Sequence, residues 1–518
     1  MFKMNLNVLT SIIGITLLIV IAISPAWAVD ENDLLQRMDN KVTTFTLDNG
    51  LTFVVVERHQ APVASFATFV DVGSVNEPAG RSGLAHMLEH MAFKGTSRIG
   101  TSDWEAEKGV LDQLEEAYLA WWEATNTRGE DEDKVRALHR RFGQLQAKAK
   151  SYVRPNEFAS IIEAHGGTDV NAATSTEYTM YFCSLPSNRA ELWFSLESER
   201  LRDPVWREFF TEKEVVLEER RMRVDSDPTG ELMEDLLAVS FVAHPYRQPV
   251  IGWESDIRAA TPSDLTALYE KYYVPGNMVC AVAGDVHPQQ VQSWARTYFG
   301  SWPARKDPVD VLTREPEQTG TRRVEVTSSA QPILVRAYHG LSRFDPQAPA
   351  LELASDILSR GRTSRLHQAL VVEQSLAAQV GTFSGYPADI DPGLFVVFTV
   401  PNAGVSLSQL GPALDAQLGR MHRDLVSAQE LQRVKTQARA QVLRGLDSNL
   451  GLARSLAKAE LLEGDWREVF YHLDALTQVR PEEIQQVVKT HLVPEKMTEG
   501  RLVLTGKGDE RAELGDER

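Results

Sequence analysis

Cysteine is nearly absent from this chain, with two in 518 residues, which excludes a disulfide scaffold and a cysteine-built metal cluster. Basic residues are outnumbered, 54 Lys and Arg against 72 Asp and Glu, for a net charge of −18. That field opposes phosphate backbones and anionic lipid surfaces, so neither nucleic acid nor a polybasic membrane mode is expected as a partner. Long apolar runs are missing too, apart from residues 8–23. What remains is a globular composition, 43% hydrophobic, at a length that implies two large units or about three or four smaller ones.

The apolar run near the N-terminus follows Lys3 and precedes Pro25 and Ala26-Trp27-Ala28. This charged, apolar, small-residue order reads as a signal peptide over residues 1–28, shorter in its apolar part than a spanning helix requires. The expected mature chain starts near Val29, has no stable membrane span and works in a bacterial periplasm. Cys183 and Cys280 each sit in an apolar, strand-like run, and two free buried thiols are expected there.

From Thr43 the sequence reads as a strand, an Asp48-Asn49-Gly50 turn, a second strand through Val56 and a third from Ala64 to Val72; turn chemistry between apolar runs predicts an antiparallel start. Ser82 then stands as a cap before a helix over residues 83–93. Residues 103–152 carry two amphipathic stripes joined by a polar stretch, predicting a helical hairpin inserted into the surrounding unit, with a structural role. Strand signals return at 169–173, 178–185 and 278–284, and helix signals at 188–202 and 211–224. Residues 304–323 are polar and aperiodic, with Pro308 and Pro316, and read as a linker. The segment 324–518 repeats the order of residues 29–303: strand signals over 324–338, a helix over 349–359, then helix and strand alternation. The fold class is therefore α+β, two similar halves built on antiparallel-rich sheets. Setting Ala354 on Ala85 puts Ser355, Leu358 and Ser359 opposite His86, Glu89 and His90, so the second half cannot hold a metal in the same way.

The chemistry concentrates in His86-Met87-Leu88-Glu89-His90. On a helix, positions i, i+3 and i+4 share a face, so both imidazoles reach one cation with a carboxylate beside them. Two imidazoles and one carboxylate suit zinc, with a fourth position left for water. The 211–224 helix offers Glu212, Glu214, Glu218 and Glu219 as the third ligand. Spacing alone does not choose among them. Arg220, Arg221 and Arg223 read as local surface partners for these acids.

The sequence resembles the pitrilysin/insulinase family of zinc peptidases with the inverted motif. The resemblance is carried by His86-Met-Leu-Glu-His-Met-Ala-Phe-Lys-Gly-Thr96, Gly166-Gly-Thr-Asp-Val-Asn-Ala-Ala-Thr174 and Glu212-Lys-Glu-Val-Val-Leu-Glu-Glu219. It implies one zinc per chain on His86, His90 and Glu219, support of that site by Glu212, and proton transfer by Glu89. It also implies that Asn171 and Ala172 lie on an edge strand that takes peptide substrate as an added strand. The stretch from His90 to Glu219 is longer than is usual in the family, by about the length of the hairpin. Active members carry an Arg and a Tyr seven apart in the second half, in places filled here by Val371 and Ala378. The implied function is a periplasmic zinc endopeptidase working as the catalytic subunit of a heterodimer, its homologous partner supplying the Arg and Tyr. The competing reading is a non-catalytic or weakly active assembly subunit.

Overall fold

The computed structural model describes residues 31–309 and 311–505; the expected signal peptide lies outside them. The first half forms a six-stranded sheet from β1 (Val42–Thr46), β2 (Thr52–Glu57), β3 (Val63–Val70), β4 (Thr168–Thr174), β5 (Thr179–Pro186) and β6 (Met278–Gly284), in the order β1-β2-β6-β3-β5-β4. The expected hairpin β1–β2 is present, antiparallel from Val42↔Val56 to Thr46↔Thr52. β2 does not pair with β3. The late strand β6 enters between them, parallel to β2 and antiparallel to β3. Every residue of β6 is buried, as its uninterrupted apolar run Met278-Val-Cys-Ala-Val-Ala283 requires of a strand covered on both faces.

The second half forms a sheet from β7 (Arg322–Ser328), β8 (Ile333–His339), β9 (Ala377–Tyr386), β10 (Leu394–Pro401) and β11 (Met497–Leu504), in the order β7-β11-β8-β10-β9. The strand signals expected over 324–338 resolve into two strands, β7 and β8. They break around Pro332, which cannot donate to a ladder, and β11 separates them. The order matches β2-β6-β3-β5-β4 strand for strand, with β7–β11 parallel as β2–β6 is. A duplicated α+β fold is the result.

The halves interlock. The helix Asn449–Glu463 sets Leu452, Ala453, Leu456 and Ala457 against Val54, Val56, Ala67, Phe69, Ala281 and Ala283 of the first sheet. Reciprocally, the helix Pro228–Ser240 lays Leu232, Leu236 and Leu237 on Val326, Val335, Ala337, Val396 and Leu502 of the second. The described residues of 304–320 form no helix or strand, yet the chain there is pinned: the Glu315 carboxylate accepts from the backbone N–H groups of Val242, Ala243 and His244, each at 2.9 Å.

Cys183 on β5 and Cys280 on β6 are free and buried. They flank β3 opposite Phe66 and Thr68, two strand spacings across and two residues along, roughly 11–12 Å apart. A disulfide cannot span that distance.

The inserted hairpin consists of antiparallel helices Trp104–Asn126 and Glu132–Lys150, the first capped by the Asp103 carboxylate accepting from Ala106 N at 3.1 Å. Val110, Leu114, Tyr118 and Phe142 join the main core. A buried ion pair fixes its base: the Arg207 guanidinium donates to both carboxylate oxygens of Glu107 at 3.0 and 3.2 Å and to the carbonyls of Lys94, Thr96 and Ile99. Both side chains are essentially fully buried. Arg207 therefore ties the hairpin to the loop that leaves the helix Leu84–Met91. Removing one member of such a pair strands a buried charge, so Arg207→Ala is expected to lower unfolding free energy by about 3–5 kcal/mol in chemical denaturation. A loss below about 1 kcal/mol would show that the hairpin is not held this way.

Candidate active site

The helix Leu84–Met91 buries Leu84, Ala85, Met87, Leu88 and Met91 in the core and turns His86, Glu89 and His90 toward β4 and the helix Phe209–Arg220. Its start differs from the expected Ser82 cap. Ser82 bonds to Asp256 instead, through N at 3.1 Å and Oγ at 2.7 Å. The cap is Glu77, whose carboxylate accepts from Gly83 N at 2.8 Å and Ala85 N at 2.6 Å. Burial pushes this carboxyl up to about 8, against the pull of those backbone bonds. Gly83 has φ 86°, and a Cβ there would lie 2.7 Å from the Ile251 carbonyl oxygen. Only glycine fits this entry into the helix.

His86 Nε2 lies 3.6 Å and His90 Nε2 3.5 Å from the same oxygen, Glu219 Oε2. With zinc bonds of about 2.0–2.1 Å and tetrahedral angles, ligand atoms stand roughly 3.3–3.4 Å apart, so this donor set fits one zinc ion. Tertiary packing brings Glu219, of the four glutamates, to both Nε2 atoms. Glu214 and Glu218 are exposed, the latter paired with Arg221, whereas Glu219 and Glu212 face inward.

The surroundings set the charge of each group. Burial, reinforced by the neighbouring His90, pushes His86 down to about 3, which keeps the imidazole neutral as ligation requires. Burial also acts to lower His90, but Glu212, Glu89 and Glu219 outweigh it and hold its pKa above the usual value. Glu212 Oε2 stands 3.4 Å from His90 Nδ1, and its other oxygen pairs with the Lys94 ammonium. Those two partners overcome burial and hold the Glu212 carboxyl low. Glu89 is raised by burial, against a 2.7 Å bond donated by Thr174 Oγ1.

β4, which carries Thr174, has β5 as its single neighbour and so presents an open edge. Asn171 is opposite Phe182 and exposed, and Ala172 is opposite Tyr181 and buried. In the second half, Ser355 Oγ and Ser359 Oγ bond to Thr382 Oγ1 on β9, the corresponding edge, and Leu358 is buried. Hydroxyls and a leucine thus occupy the region that corresponds to the imidazoles and Glu89. Val371 is half-buried and Ala378 exposed at the start of β9.

Sequence reasoning did not single out Thr174 or Lys94, although both lie inside the motifs it used. It misread Arg220, which is buried, bidentate to Glu234 at 2.7 and 2.8 Å, and bonded to the Gly252 carbonyl. The nearby Arg223 does stay outside, reaching Glu219 Oε1 at 2.9 Å.

Two interlocked copies of one α+β unit, with His/His/Glu convergence found, among the described residues, in the first, define the class of molecule. Comparison with known proteins gives its family. Residues 52–107 and 145–253 match "Insulinase (Peptidase family M16)", and residues 259–438 match "Peptidase M16 inactive domain". The interruption at 108–144 falls within the helical hairpin. The chain is 28% identical over 426 residues to the zinc protease PqqE of Helicobacter pylori, covering 80% of this chain and 82% of that one. It is 23% identical over 464 residues to the mitochondrial-processing peptidase subunit beta of Lentinula edodes, covering 86% of each. Among solved structures, a protease from Helicobacter pylori superposes with TM-score 0.74 at 24% identity, covering 89% of this chain and 99% of that one. The periplasmic protease PqqL from Escherichia coli superposes with TM-score 0.64 at 18% identity, covering 90% of this chain and 48% of that one. The chain belongs to the insulinase family, peptidase family M16.

Proposed function

We propose that this chain is a zinc-dependent endopeptidase that hydrolyses peptides or unfolded segments in the periplasm, as the catalytic subunit of a heterodimer. The observation that carries the reading is the aim of two imidazole Nε2 atoms at one carboxylate oxygen, beside Glu89 and under an open sheet edge. His86, His90 and Glu219 are the ligands of one zinc per chain. When bound, zinc polarises the scissile carbonyl and brings the pKa of a water toward ~7.

The chain's own residues do the rest. Glu89 accepts the proton released by the attacking water and returns one to the departing amine. Thr174 orients Glu89 from β4, so the strand that would pair with substrate also aims the base. Glu212, anchored by Lys94, bonds to His90 Nδ1 and fixes its ring, the role an outer carboxylate plays for a ligating histidine. Asn171 and Ala172 lie on the edge that would receive an extended peptide through main-chain bonds, giving affinity with little side-chain selection. The periplasmic placement rests on the order of residues 3–28. No helix among the described residues is long and apolar enough to cross a membrane.

The test is zinc content together with peptide cleavage. About one tightly held zinc per chain is expected, and His90→Ala should remove most of it along with activity. Unchanged zinc in elemental analysis of that variant would show the ligand set to be wrong. The second reading, an assembly subunit with little activity of its own, is favoured by Val371 and Ala378, which bring no directional donor to the second half. Bound zinc without cleavage under any pairing would select it.

A further inference from the structure

We propose that Glu57, His59 and His287 form a second divalent-metal site, open to solvent and suited to a borderline first-row ion such as zinc or copper(II). Glu57 and His59 are two residues apart, His287 lies more than 220 residues further on, and topology joins them. Glu57 ends β2 and His59 follows in the loop to β3, while His287 comes three residues after the end of β6. β2 and β6 are parallel neighbours with Glu57 opposite Gly284, so both chains leave the sheet side by side.

The donor atoms converge much as those of the active site do. Glu57 Oε1 lies 3.6 Å from His59 Nε2 and 3.4 Å from His287 Nδ1, against roughly 3.3–3.4 Å for two ligands of one tetrahedral zinc. The two imidazole centroids are 5.1 Å apart, compared with 4.8 Å for His86 and His90. Behind them stands the outer arrangement that ligating histidines use. The other nitrogen of His59, Nδ1, is 2.7 Å from Asp285 Oδ1, and Asp285 Oδ2 accepts from Ser187 Oγ at 2.9 Å. A carboxylate that accepts a hydrogen bond from Nδ1–H holds the proton on that nitrogen and leaves the Nε2 lone pair directed at the shared space. Neutral imidazoles and a carboxylate, without thiolate, favour zinc, copper(II) or nickel(II) over calcium or magnesium.

The site is independent of the proposed active site. Glu89 meets Thr174, which sits at the end of the sheet where Val70 opposes Met278, whereas this cluster is at the end where Ala64 opposes Gly284. About 20 Å of strand separates the two. The cluster also adjoins the seam between halves: Arg58 donates to the Asp447 carbonyl at 2.7 Å and Asn449 to the Val63 carbonyl at 3.2 Å. An ion here would staple the β2–β3 loop to the chain leaving β6, next to the helix lent by the second half. Because His59 and His287 are 48% and 67% exposed, the ion would exchange more readily than one on His86.

Zinc titration of a tag-free, metal-stripped full mature chain tests the proposal. The expected result is two ions per chain, one tight and one readily removed by a mild chelator. His287→Ala and His59→Ala should each abolish the weaker one and leave the tighter, and Asp285→Asn should weaken it about 10-fold or more. Because these side chains are exposed, thermal midpoints in chelator are expected to stay close to the parent's. His90→Ala should remove the tight ion and leave the weak one. A single ion that His90→Ala removes, or a second ion that survives His287→Ala, would overturn the proposal. A single ion that His287→Ala alone removes would uphold it and count against the active-site reading instead.

Discussion

Glu89→Gln is expected to keep its zinc while peptide turnover falls by about 100-fold or more. The amide preserves the shape of the side chain and can still accept the bond from Thr174 Oγ1, now 2.7 Å from Glu89 Oε2. It cannot take a proton. Because His86, His90 and Glu219 are untouched, metal content should not follow activity. Loss of both together would make Glu89 a ligand or a folding residue, and undiminished turnover would end the proposed division of labour between ligands and base. Elemental analysis beside a steady-state peptidase assay separates these outcomes.

Mixing this chain with a homologue that carries Arg and Tyr where it has Val371 and Ala378 should raise peptidase activity by about 100-fold, with a complex visible by size-exclusion chromatography. In the proposed function, His86, His90, Glu219, Glu89 and the β4 edge act on one side of a bound peptide. Val371 is half-buried and Ala378 exposed, and neither side chain can donate a hydrogen bond. A scissile bond held from one side is free to shift, and a misplacement of ~1 Å costs a factor of this size. A homodimer does not repair it, because each copy brings the same valine and alanine. Full activity from the single purified chain, indifferent to any homologue, would overturn the heterodimer reading and assign substrate positioning to the first half alone.

How much was legible beforehand varies with how local the cause is. The ligand helix announced itself, since two histidines four apart among Leu84, Met87, Leu88 and Met91 encode both the buried face and the chemistry. Its cap did not: Glu77 lies outside the helix and beats the nearer Ser82 because the chain loops back on itself, and Asp256 takes the serine. The hairpin was visible as two amphipathic stripes, but its anchor was not, because Glu107 meets Arg207 across 100 residues. Arg220 looked like a surface charge on a charged helix until the fold brought Glu234 against it.

By itself the sequence determined what depends on spacing along one element: helix or strand, the face a residue takes, the pairing of His86 with His90, and the repetition of an α+β order. It determined too that a duplicated second half cannot hold a metal in the same way, since Ser355, Leu358 and Ser359 stand where the first half has His86, Glu89 and His90. Only the tertiary structure decided where β6 enters the first sheet, which helix each half lends the other, which of four glutamates meets the histidines, and that His59 and His287 are neighbours. The physical reason is the range of the interactions. Backbone sterics and side-chain periodicity act over a few residues, whereas strand order and helix exchange are settled by burial of apolar faces such as Leu452-Ala453-Leu456 against Val54 and Ala281, partners that no local pattern names.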